Sequence, residues 1–300
     1  MRSKAFALLL ASSASLSAID IAPFIDVLTV RTVHSEGMEF DDLTVGEVDY
    51  TQSSLFAILG LVGNDSELMW VPMLNFEHTN LEISTLPLGA GGAFPAIDES
   101  LYEISLPNIL LYNPSGSRWF HGFYNSIGVA SDFDSIDSRD FRLAAGIGSG
   151  YQFNDCFALG FGVYGSNLTN DPWFAAGPMF VWMPDENWLV SYFGPRLAVR
   201  RNFGDDVRIG LEAAWNGGRW NIETPGTPYD SLEVDFSSLR TGLYYKQRIY
   251  DQFWVELGAG YTFANELNIY SNGGRELYPT SLGGIDSAPY FSLALSVHQW

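Results

Sequence analysis

Four histidines, one cysteine and a run of aspartates are the residues of this 300-residue chain whose types could do chemistry. His34, His78, His121 and His298 are scattered, none two or four positions from another, so they lack the pairing of a metal site. His78 invites comparison with a lipid-hydrolysing histidine, but the residue two positions on is Asn80 and the serine nucleophile is missing. Cys156 stands between Asp155 and Phe157 with no nearby cation to favour a thiolate, and a single cysteine excludes an internal disulfide. Asp132, Asp134, Asp137 and Asp140 could offer oxygens to a hard cation, yet they lack the glycine and closing glutamate of the familiar calcium loop. A solvated acidic loop is the expectation. No catalytic set, cofactor set or metal set emerges from these residues.

The period along the chain is more informative. From 140 to 153, Phe141, Leu143, Ala145, Ile147, Tyr151 and Phe153, interrupted only by Ser149, alternate with Asp140, Arg142, Ala144, Gly146, Gly148, Gly150 and Gln152. Two further runs do the same: Val207, Ile209, Leu211, Ala213 and Trp215 against Arg208, Gly210, Glu212 and Ala214, then Phe253 to Phe263 against Trp254, Glu256, Gly258, Gly260 and Thr262. Strict alternation is the mark of a strand with unlike faces. A soluble sandwich would put lysine, glutamate and threonine on the less apolar face, whereas here that face is small and glycine-rich. This pattern predicts an all-β, antiparallel, up-and-down transmembrane barrel, with apolar residues toward lipid and small or polar ones inside.

Turn residues supply the connectivity. Short turns are expected at 63–65, 113–116, 154–155, 185–187, 204–206 and 250–252, and longer connections near 35–45, 83–100, 132–139, 169–172, 216–231 and 271–286. Short turns at one end and long loops at the other suit an outer-membrane barrel. Residues 188–202 break that parity unless a tight reversal at Gly194-Pro195 splits them into Trp188–Phe193 and Arg196–Asn202. The count is then fourteen strands, or twelve if the end segments or this short pair are not full members. Aromatic residues beside the short turns, among them Trp119, Phe153, Trp182, Trp188 and Phe203, suit a membrane boundary. The last strand carries Phe291, Leu293, Leu295 and Val297 and ends in Trp300, which is out of phase with that set.

Residues 1–18 combine Arg2 and Lys4, an apolar stretch and a small-residue end at Ala18, which predicts a cleaved secretory signal peptide and a barrel domain over 19–300. No later apolar run approaches the twenty or so residues of a membrane helix. Apolar residues make up 47% and charged residues 17% of the chain, few charges for a soluble protein. A formal net charge of −20 argues against nucleic acid as a partner.

Five segments carry a resemblance: Pro72–Thr79 (PMLNFEHT), Ser131–Phe141 (SDFDSIDSRDF), Gly148–Leu159 (GSGYQFNDCFAL), Gly194–Leu197 (GPRL) and Asn216–Ile222 (NGGRWNI). Together they resemble a family of predicted outer-membrane β-barrels described only as a domain of unknown function. The resemblance implies a barrel and an outer-membrane location, and no catalytic or binding residues.

Alternation puts Arg142, Arg208, Glu212 and Glu256 inside, as the one interior charge cluster the sequence proposes. They either form a structural lock in a narrow lumen or line a wet pore and set its ion preference. The glycine-rich inner face, which brings opposite walls close, favours the lock. The function expected is structural, or passive passage of small solutes, with no enzyme activity and no cofactor. Outer-membrane lipid and, during biogenesis, the barrel-assembly machinery are the expected partners. The alternatives are a hydrolase acting on lipid or peptide and a surface β module that binds a ligand through its loops.

Overall fold

The computed structural model describes residues 26–40, 47–60, 62–64, 67–84, 86–88, 92–94, 96–167, 173–223, 231–271, 276–278 and 285–298. The expected leader, residues 1–18, and Trp300 lie outside the described residues. Alternation becomes fourteen strands: β1 (Leu28–Glu39), β2 (Glu47–Ile58), β3 (Leu68–Ile83), β4 (Ile97–Tyr112), β5 (Trp119–Ser131), β6 (Phe141–Asn154), β7 (Phe157–Ser166), β8 (Trp173–Trp182), β9 (Trp188–Phe193), β10 (Arg196–Phe203), β11 (Val207–Glu223), β12 (Ser231–Tyr250), β13 (Phe253–Ser271) and β14 (Pro289–Val297). Each pairs antiparallel with the next, and β14 pairs back onto β1, with Thr29 opposite Ser296 and Arg31 opposite Ala294. The barrel is closed, so the cylinder has no sheet edge running its full height.

The tight reversal at Gly194-Pro195 is present. Gly194 adopts a φ of 55°, a left-handed conformation that glycine reaches without a Cβ clash. The short turns, the start of β1 and the end of β14 therefore lie at one end of the cylinder and the long connections at the other. The turn expected at 63–65 falls later, because residues 62–64 pair with Leu68–Trp70 as a short extra ladder.

Two expected loops, 35–45 and 216–231, are partly strand. β1 continues to Glu39, β11 to Glu223, and β12 begins at Ser231 and runs for 20 residues. The reason is burial: Trp220, Ile222, Leu232, Val234 and Phe236 alternate toward the interior in segments whose Asn-Gly-Gly and Asp content suggested turns. These extensions rise above the rest of the cylinder and build a second storey. There β1 to β5 face β11 to β13 around an apolar core of Met38, Tyr50, Leu81, Ile83, Leu101, Trp220, Phe236 and Ile269. β5 and β11, six strands apart in the ring, touch directly through Asn221 and Ser131. Phe40 and Asn265 both bridge to Ile285 on the far side. The loop end of the cylinder is thus pinched over an apolar roof. Each large side chain buried there contributes about 1.5–3 kcal/mol.

β13 bends to reach that roof. A Cβ at Gly260 would sit 2.0 Å from the Thr241 carbonyl oxygen, and just beyond it the register with β12 shifts and Ala264 takes a φ of 48°. This is a bulge, which bends its strand and re-aims the residues beyond it.

The seam between the chain ends is locked at the short-turn end. Lys246 Nζ donates to Asp26 Oδ2 at 2.5 Å, and His298 Nε2 lies 2.8 Å from Asp26 Oδ1. Val27 N–H donates to Val297 O, and the His298 ring packs on Trp254 at 4.9 Å. Burial pushes the Asp26 carboxyl upward, but the His298 contact and the Lys246 charge outweigh it and hold the group well below its ordinary value of 3.8. Burial also pulls the His298 imidazole below its ordinary value, leaving Lys246 as the cation of the lock.

The roof and the lock can each be tested by one substitution. Trp220→Ala should cost about 3–5 kcal/mol by leaving a cavity in the roof core, read as a lower urea midpoint for the protein refolded into vesicles. For Asp26 a depressed folded pKa means its stabilisation is present above pH 3.8 and fades as pH falls through the folded value. Asp26→Asn should therefore lower the temperature at which the folded gel band is lost at pH 7, and should narrow its difference from the parent below pH 3.8. An unchanged difference at acid pH would remove the lock.

Candidate functional site in the charged lumen

The outward face is apolar over a continuous band. Leu143, Ile147, Phe161, Leu211, Leu243, Leu257, Phe291 and Leu295 are all exposed on the outside of the closed cylinder. Trp119, Phe153, Trp182, Phe203 and Phe253 form a girdle at the short-turn end, where the Arg201 guanidinium lies 4.7 Å from the Phe203 ring. Above the band, β3 turns outward-polar at His78, Asn80 and Glu82. An apolar belt with aromatic edges is the surface of a membrane-spanning barrel of the outer-membrane type.

Inside, the charges are numerous and unevenly placed. Arg31, Arg142, Arg196, Arg200, Arg208, Arg240 and Lys246 all face inward, seven of the chain's fifteen basic residues. Six of them stand on β1 and β10 to β12. Arg31 pairs with Glu256 at 2.8 Å and Arg196 with Glu212 at 2.6 Å. Arg208 donates to Asn202 Oδ1 at 2.9 Å and lies over the Trp254 ring at 5.2 Å. Arg240 donates to Gln52 Oε1 at 3.2 Å and lies over Tyr50. This basic wall is a cross-linked network of ion pairs and ring contacts.

Of the four residues the sequence grouped, Arg208, Glu212 and Glu256 belong to this wall. Arg142 does not. It sits high on β6, where its guanidinium donates to the carbonyl oxygens of Arg219 at 2.6 Å and Arg139 at 2.5 Å, tying β6 to the arm of β11. Alternation gave each side chain its face, but only the ring order and stagger set which of them meet.

On the opposite wall lie two acids that sequence reasoning missed. Glu77 on β3 and Glu103 on β4 are direct partners across the ladder and both point inward. Like charges directly opposite are unfavourable unless hydrated or bridged. Glu77 accepts from Gln52 Nε2 at 2.8 Å and Asn75 Nδ2 at 3.0 Å. Glu103 borders a cavity of about 320 Å³ together with Phe56, Met73, Asn75, Ser105, Tyr124, Ser126, Arg142 and Tyr164. The signal that could have exposed the pair is the register of β3 on β4, hidden because His78, Asn80 and Ser100 on the outer face above the belt blur the alternation.

The aspartate run is used structurally. Asp132 accepts from the Asp134 and Glu223 amides, Asp140 from Asn221 Nδ2 at 2.8 Å and the Asp137 amide at 2.6 Å, and Asp137 pairs with Arg139. The Arg139 hydrogen bond holds the Asp137 carboxyl below its ordinary value. These bonds clamp the β5–β6 loop onto the arm of β11. Among the described residues no group of three or more histidine, cysteine or acidic side chains could hold a metal. One contact that spacing alone hid is His121 Nδ1 with Ser149 Oγ at 2.8 Å, across β5 and β6 on the outer face. Ser149 lies mid-strand with ladders on both sides, so no free amide pair is at hand to stabilise an oxyanion.

Several solved proteins share this outline. An outer membrane channel from Pseudomonas putida F1 overlaps 91% of this chain and 96% of its own, at 7% identity and a TM-score of 0.47. A deletion mutant of the monoaromatic hydrocarbon channel TodX overlaps 100% of both chains at 9% identity and a TM-score of 0.43. The transport unit of the Escherichia coli autotransporter AIDA-I overlaps 98% and 97% at 13% identity and a TM-score of 0.37. These likenesses are of outline alone. No curated protein sequence matches the chain. A family profile, by contrast, aligns over residues 94–298, well over half of the chain, and the protein belongs to that family, described as a domain of unknown function (DUF6268).

Proposed function

We propose that the protein is a passive transport barrel for small solutes in the bacterial outer membrane, closed at its loop end in the resting state. The observation that carries this reading is the inward pair Glu77 and Glu103 beside a cavity of about 320 Å³ under an apolar roof. A lumen built only as a lock would match its charges, as Arg31 with Glu256 and Arg196 with Glu212 do. Facing carboxylates instead call for water or a passing solute between the walls. A basic wall facing an acidic one also suits polar groups in transit, which it would orient across the lumen.

Chemistry on a substrate has less support. The Ser149–His121 contact lies outside the cylinder, mid-strand between two ladders, where no free amide pair stands beside it among the described residues. The apolar belt supports outer-membrane lipid as the standing partner, and the alternating strand β14 supports the assembly machinery as a transient one.

Planar-bilayer recording tests the proposal. The parent protein should show rare, small conductance steps because the roof is closed. Trp220→Ala with Phe236→Ala, which thins the roof, should make openings more frequent or larger. Silence from both proteins, with folding verified by the heat-shifted gel band, would overturn the transport reading.

A further inference from the structure

The wall of the cylinder has a low place. β9 is 6 residues long and β10 is 8, against the about nine to eleven that a tilted strand needs to cross hydrocarbon. At roughly 3.3 Å per residue and a tilt near 40°, six residues rise only about 15 Å. Their neighbours β8 and β11 continue upward, so a gap stands between them above the Gly194-Pro195 tip.

The ladder shows where it begins. β8 and β9 share only the rungs Trp182–Val190, Val181–Ser191 and Phe180–Tyr192. The Met183 amide donates to Cys156 O on the β7 side, so by alternation the amides of Trp182, Phe180, Ala176 and Phe174 point toward β9. The remaining position in that series is Pro178, which has no N–H to give, and a proline in a strand belongs where its missing donor faces no partner. On the other side β10 ends opposite Ala214, and the Trp215 amide closes onto Pro195 O at 3.0 Å. Above the gap, Arg219 reaches Asn167 O and accepts from Arg142. Among the described residues nothing pairs with β8 along this edge.

Among the described residues the gap passes right through the wall. Ala175 and Ala176 point to opposite faces of β8 and both are exposed, and Phe174 is 80% exposed. A Cβ at Gly177, directed inward, would meet nothing within 4 Å. Ala175 is the ladder partner of Tyr164, which lines the lumen cavity. The rim is apolar, with Phe174, Phe193, Pro195 and Trp215 exposed there beside Pro178. An unpaired strand edge at hydrocarbon depth is tolerable only where it lines a cavity that holds water or a guest.

We propose that this gap is a lateral window through which a small amphipathic molecule, with an apolar body and one polar end, passes between the outer leaflet of the membrane and the lumen cavity. The rim accepts the apolar body, and Tyr124, Tyr164, Glu103 and Arg142 receive the polar end. This deepens the transport reading by naming a solute class and its path, and it rests on that reading.

The test uses full-length protein with Cys156→Ser in phosphatidylcholine nanodiscs that contain doxyl-stearic acid, with a bimane label on one new cysteine. Gly177→Cys and Ala175→Cys report the inner side of the window, Ala176→Cys its outer side, and Ser292→Cys the inner side of a fully paired wall. Doxyl-stearate should quench the label at 177 or 175 as strongly as at 176, and should leave 292 near its unquenched level. Gly177→Trp, whose ring enters open space, should abolish quenching of a label at Ala144→Cys in the cavity. Labels at 175 and 177 that are not quenched while 176 is, or a cavity label indifferent to Gly177→Trp, would overturn the window. Because this reads access and not conductance, a silent bilayer with a quenched inner label would remove the transport reading and keep the window.

Discussion

Every main-chain N–H and C=O at membrane depth must find a partner within the protein, because hydrocarbon supplies none. The ring of ladders from β1 to β14, closed by the pairing of Arg31 with Ala294 and its neighbours, answers that demand except along the upper edge of β8. The rest of the architecture is a consequence. Side chains outside the ring can be as apolar as Leu257 and Phe291, because no other element has to cover them. The charged interior is permitted by the same closure, which separates it from lipid everywhere but at the low place beside β8.

The cylinder and its roof divide two incompatible tasks. Seven basic side chains and facing glutamates need water or one another, whereas Trp220, Phe236 and Tyr50 need its exclusion. The chain keeps them apart by height, with Arg240 over the Tyr50 ring at the boundary. β11 to β13 run 17 to 20 residues, long enough to leave the membrane and fold across the opening, so the apolar core sits above the charges. The clamp from Asp132 and Asp140 to Glu223 and Asn221 holds that arm down at its far end. Moving the roof therefore means loosening contacts outside the membrane while the spanning ladders stay intact.

Asymmetry of strand length is what makes the molecule more than a sealed cylinder. The longest strands, β11 to β13, stand together, and the shortest, β9 and β10, adjoin them. Where tall and short strands adjoin, the ladder has to stop, and Pro178 and the Gly194-Pro195 tip occupy that boundary. Both prolines lack the donor that an unfinished edge would otherwise leave exposed.

Much of this was legible in the sequence. A period of two with glycine on the inner face determined that the strands form a membrane barrel, and the parity of short and long connections determined the reversal at Gly194-Pro195. The inward direction of Arg142, Arg208, Glu212 and Glu256 comes from the same alternation. Tertiary structure decided the rest. The segment 216–231 has the composition of a loop, yet its alternating Trp220 and Ile222 find a core only because β1 to β5 lie across the ring from them. Arg142 parts from Arg208, and Glu77 meets Glu103, through stagger between strands far apart in the chain. The physical reason is that alternation is local, set by the pleat of one strand, whereas the meeting of two side chains across a lumen depends on how many strands close the ring and how far each is shifted against the next.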